Sequence, residues 1–135
     1  MKFIDEKMGM RDADSGDEVA TISVQQLEQD LARAQQEIIE LPAGYRPEQK
    51  AKIQNHIGEL LIDLNRKEEA FDTAREAYDV FVEAEQWEDA VQSCNVMFLA
   101  EQPYSLAALG QGVWLAVTFP IDAELTVAML QHIID

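Results

Sequence analysis

One cysteine, four prolines, six glycines and ten basic residues are all that 135 residues contain of each. Each scarcity excludes something. A single thiol, Cys94, cannot close a disulfide framework or build a cysteine-based zinc finger. It also fits a reducing, cytoplasmic setting. So little Pro and Gly excludes collagen-like and low-complexity chains. Ten Lys and Arg against 26 Asp and Glu leave a net charge of −16. Nucleic acids and anionic membranes are held by clustered cations, so neither is expected as a partner. The start, Met1-Lys2-Phe3-Ile4-Asp5-Glu6-Lys7, lacks the apolar run of a secretory signal. Only the stretch from Gln102 to Ile121 is free of charge, and Pro103 and Pro120 cut it to one helix too short to cross a membrane.

What remains is 47% hydrophobic, enough for the core of a single domain. Residues 1–22 are polar and acidic without a period, which predicts a mobile acidic tail ahead of a domain at 23–135. Beyond the tail the apolar residues recur at helical spacing. Ser23 with Gln26 reads as a capping box, followed by Val24, Leu27, Leu31, Ala34 and Ile38. Pro47 suits the first position of a second helix, with Ile53, Ile57, Leu60, Leu61 and Leu64 on its stripe and Asn65 as a left-handed stop. Further helices are predicted at about 67–84, 87–101 and 104–117, and a sixth after Pro120. The fifth is apolar nearly all round, which predicts the most enclosed position. No stretch alternates with period two, so strands are not expected. Six helices with short connections must pack mostly as antiparallel neighbours.

Two turns look alike: Asn65-Arg66-Lys67-Glu68-Glu69-Ala70 and Glu85-Gln86-Trp87-Glu88-Asp89-Ala90. A large apolar residue precedes an alanine by nine positions three times, as Leu61 and Ala70, Phe81 and Ala90, and Trp114 and Ala123. A small residue opening a second helix lets it come close to the first, and the large residue fills the space above. These positions, with Ile57-Gly58, Ala77, Pro103 and Gly110, resemble the tetratricopeptide repeat family over roughly residues 47–135. The 33-residue spacing of Phe81 to Trp114 and of Ala90 to Ala123 favours hairpins at 67–101 and 104–134. In that register Tyr78 stands where the family prefers Gly and Met97 where it prefers Ala. The resemblance implies an all-α fold of about six helices, stacked as a short right-handed superhelix. It further implies a protein-binding scaffold, adaptor or chaperone-like module with no enzymatic activity and no cofactor.

The charge pattern suggests where binding would occur. After Arg75 there is no Lys or Arg for sixty residues, while ten acids follow. Arg75, Asp79 and Glu83 recur four apart and form one polar ridge, the expected contact for a partner with a basic segment. In the last helix Val127, Ala128, Met129, Leu130, Ile133 and Ile134 crowd together. Either that helix meets a partner or a second copy, giving a homodimer, or it lies wholly against helix 104–117. The competing reading is a small bundle or enzyme using His56, His132 or Cys94. No helix carries a His-x-x-x-His or Glu-x-x-His ligand pair, Cys94 lies on an apolar stripe, and Asp12–Glu18 misses the spacing of a calcium loop.

Overall fold

The computed structural model describes the backbone of residues 6–134 and the side chains of residues 23–134. Six helices follow one another: α1 (Glu6–Ile39), α2 (Pro47–Asp63), α3 (Lys67–Glu83), α4 (Trp87–Leu99), α5 (Ser105–Thr118) and α6 (Ala123–Ile134). Among the described residues there is no strand. No helix among them is long and apolar enough to cross a membrane.

Five of the six helices start within a few residues of where periodicity and punctuation put them. Pro47 opens α2, and the Arg46 amide donates to Gln49 Oε1 at 2.9 Å, which satisfies a donor just outside the helix. Asn65 stops α2 with φ of 61°. The Arg66 amide then reaches back to the Leu61 carbonyl (2.8 Å) and the Asn65 amide to Ile62 (2.9 Å), closing a Schellman motif. Glu85 repeats the arrangement after α3 at φ 56°, with Gln86 donating to Phe81 (2.9 Å) and Glu85 to Val82 (3.1 Å). The two look-alike turns are therefore one backbone structure used twice, twenty residues apart.

The first helix departs from expectation. Ser23 lies inside α1 rather than at its start, because the helical backbone begins at Glu6 and no proline interrupts it. The tail expected over residues 1–22 falls on side chains outside the described residues.

Each helix packs on the next, and α4 also touches α2 and α6. Three-residue links at 64–66 and 84–86 fold α3 back on α2 and α4 back on α3. Small residues allow the close approach. Ala51, Ala70, Ala74, Ala77, Ala90 and Ala100 are fully buried, with Phe81, Val91 and Met129 filling the space between helices. Gly58 faces α4, where an added Cβ would stand 2.8 Å from Val96 Cγ1. Gly112 is tighter still, with Met129 Cε at 2.5 Å and Cys94 Cβ at 2.8 Å from that position.

Two expectations fail at the far end. Phe81 and Ala90 are buried as the hairpin logic requires, but Trp114 is 54% exposed and Ala123 lies at the surface. Phe119 is instead the ring stacked on Trp87, at a centroid distance of 4.1 Å. Trp114 and Phe119 meet edge to face at 6.1 Å. Residues 67–101 and 104–134 thus do not match at the positions that defined their spacing. Nor is α5 the most enclosed helix: Leu106 is 74% and Val117 66% exposed. Its apolar face is wider than the surface α4 and α6 can cover, so one side is left over. The same holds for α6, where Met129 is buried but Val127, Leu130, Ile133 and Ile134 are exposed, so α6 does not lie wholly against α5.

Candidate functional site

Arg75, Tyr78 and Asp79 sit at i, i+3 and i+4 on α3, and with Phe71 they form one wall of a cavity of about 410 Å³. Cys94 and Met97 of α4 make the floor, and Tyr104, just ahead of α5, with Ala107, Ala108 and Gln111 of α5 the opposite wall. The cavity exists because α3 and α5 both pack on α4 from either side and leave a gap between them. Its volume lies in the range of sites that take a small ligand or a bulky side chain.

The floor is apolar and the rim polar. Cys94 is fully buried, and that burial pushes its thiol up to about 12. Such a thiol stays protonated at neutral pH and is no nucleophile. Burial, and then the nearby Cys94, push the Tyr78 phenol above its ordinary value; a hydrogen bond with the Gln111 side chain opposes this, and Asp79 adds to the rise. The neutral phenol, the amide, the Arg75 guanidinium and the Asp79 carboxylate give the mouth both donors and acceptors.

The ridge read from the sequence is therefore split. Arg75 and Asp79 line this cavity. Glu83 does not; with Pro47, Glu48, Val80 and Ala84 it borders a separate cleft beside the start of α2, and Asp79 stands between the two. Tyr104 and Ala107 had no part in the sequence reading, and Gly110-Gln111-Gly112 reads from sequence as close helix packing rather than as a ligand contact. Their one signal was Gln111, a polar residue inside a charge-free helix.

The three residues of the competing reading share no cavity. His56 lines a third cleft with Lys52, Glu59, Asp89 and Gln92, its Nδ1 3.9 Å from Glu59. His132 joins α6 to α4, its Nε2 2.7 Å from Asn95 Oδ1 and its ring 4.7 Å from that of Phe98. Among the described residues no three His, Cys, Asp or Glu side chains are grouped to hold a metal ion. The buried polar groups between α2 and α4 satisfy one another. Ser93 Oγ donates to Asn55 Oδ1 at 2.7 Å, and Asn55 Nδ2 donates to the Asp89 carbonyl at 3.2 Å.

Comparison with family models, with curated proteins and with solved structures finds no match to this chain.

Proposed function

We propose that this chain is a non-enzymatic interaction module of the cytoplasm that holds a protein segment, one side chain of which enters the cavity between α3 and α5. The observation that carries the reading is the cavity itself, with Cys94 and Met97 as an apolar floor, Phe71 and Ala108 on its walls, and a rim of Arg75, Asp79 and Gln111. An apolar residue of the segment would sit on the floor, while its backbone or a basic neighbour meets the rim. Two observations support the non-enzymatic part of the reading: burial holds the Cys94 thiol protonated, and neither histidine lines the cavity.

In fold terms the proposal is a short right-handed stack of hairpins similar to tetratricopeptide repeats. Support comes from Ile57, Gly58, Leu61, Ala70 and Ala77, which match one copy of that pattern and are all buried, and from the contacts of α4 with both α2 and α6. These favour pairing α2 with α3, rather than α3 with α4, as the first hairpin.

The test is Ala107→Trp, which fills the cavity from a surface position. Purified from its source, the wild-type chain should retain a protein that this variant loses. Recovery of the same proteins by both removes the cavity from the reading. A small molecule held by the wild type in native mass spectrometry would instead favour a ligand-binding bundle.

A further inference from the structure

The two ends of the helix array are finished differently. At one end, over its described side chains, α1 turns Leu31 and Ala34 inward and shows solvent Gln25, Glu28, Gln29, Arg33, Gln36 and Glu37 between the exposed Val24 and Ile39. At the other end the surface is apolar. Leu106, Gly110 and Val117 share one side of α5 at i, i+4 and i+11, with Trp114 beside them. Val127, Leu130 and Ile134 share one side of α6 at i, i+3 and i+7, and Ile134 is 76% exposed. A Cβ on Gly110 would meet nothing within 4 Å, so the stripe on α5 has an open notch. Exposed apolar stripes on two helices that pack on each other mark a binding face.

We infer that the α5–α6 face docks an amphipathic helix of a partner protein whose apolar stripe is flanked by Lys or Arg. Two neighbouring helical stripes offer a third helix the same seat that α2 and α3 give α4. The charge decides which helix. No charged residue lies between Glu101 and Asp122, so the centre asks for apolar side chains. From Glu76 onward every charged side chain is acidic, so the surroundings ask for cations. A second copy fits poorly: it would set a net −16 against another −16, with no base on this half of either to pair across the contact. The inference rests on the reading of the chain as an interaction module, but on a different face from the cavity.

The experiment uses the full chain and two labelled synthetic helices of about 18 residues, or five turns. Both carry the same Leu stripe, one flanked by Lys and the other by Glu, and fluorescence anisotropy reads binding. The Lys helix should bind, the Glu helix at least about tenfold more weakly, and added salt should narrow the gap. Val117→Asp with Val127→Asp should weaken the Lys helix by about tenfold or more at unchanged helical content. Leu106→Asp carries the same test if that pair does not fold. Ala107→Trp should leave it unchanged, so loss of the cavity function and loss of this face are separable. Equal binding of both helices overturns the inference, as does equal binding of the Lys helix by the wild type and the Asp variants. A wild-type dimer in sedimentation that Val117→Asp dissolves would give the face to a second copy instead.

Discussion

Gly110 and Gly112 stand two residues apart on α5, and replacing each by alanine should move stability in opposite directions. Both lie in the interior of a helix, where Ala is favoured over Gly by about 1 kcal/mol. At Gly110 nothing lies within 4 Å of the new methyl, so Gly110→Ala should show that gain nearly whole. At Gly112 the methyl would stand 2.5 Å from Met129 Cε and 2.8 Å from Cys94 Cβ. The Met129 methyl can swing aside, since it ends a flexible chain. Cys94 Cβ cannot, because it is fixed to the backbone of α4; the two helices must separate. Overpacking of this kind costs about 1–3 kcal/mol. The local helix term is common to both variants and cancels, so Gly112→Ala should be less stable than Gly110→Ala by about 1–3 kcal/mol. Urea titrations followed by far-ultraviolet circular dichroism, with equal slopes, measure the gap. A Gly112→Ala protein as stable as the Gly110→Ala protein would refute the close crossing of α4, α5 and α6.

Asp79→Lys should impair recovery of a partner while Glu83→Lys should not, because only the first lines the α3–α5 cavity; a parallel pull-down decides. Glu85 holds a left-handed conformation at φ 56°, so Glu85→Gly should raise stability by about 1 kcal/mol in the same titration. Ser93→Ala removes the donor to buried Asn55 and should cost about 1–3 kcal/mol, and a cost near zero would show that Asn55 finds another partner. Burial raises the Cys94 thiol from 9.0 to about 12. Its contribution is then whole below pH 9.0 and declines as pH rises towards about 12, because the unfolded chain gives up its proton first. Stability should therefore fall more steeply across that window in the wild type than in Cys94→Ala.

Helix positions were written locally. Pro47, Asn65 and Pro103 act on their own neighbours, and an apolar stripe every three to four residues reports which side of a helix is dry. Hence α2 to α5 fall where punctuation and period put them, and Ala70, Ala90 and Phe81 are buried as expected. The start of α1 was not legible, because residues 6–22 carry no apolar period and no proline to mark one. The repeat was half read. The turns at Asn65 and Glu85 were seen as alike, yet the 33-residue spacing that carried the pairing to Trp114 and Ala123 does not hold. An interval between residue types says nothing of which side of a helix its neighbours will cover; Phe119, which stacks on Trp87, belongs to a loop.

By itself, then, the sequence determined an acidic, all-helical chain with its breaks, its buried alanines and a polar ridge on α3. Those are properties of single helices and of summed charge, and they need no knowledge of neighbours. Packing between helices was needed to set Arg75 and Asp79 opposite Tyr104 and Gln111 across α4, to turn Glu83 to another cleft, and to leave an apolar side of α5 and α6 uncovered. Each of these depends on where the third helix along the chain comes to rest, and that is set by interlocking side chains such as Gly112 against Cys94 and Met129.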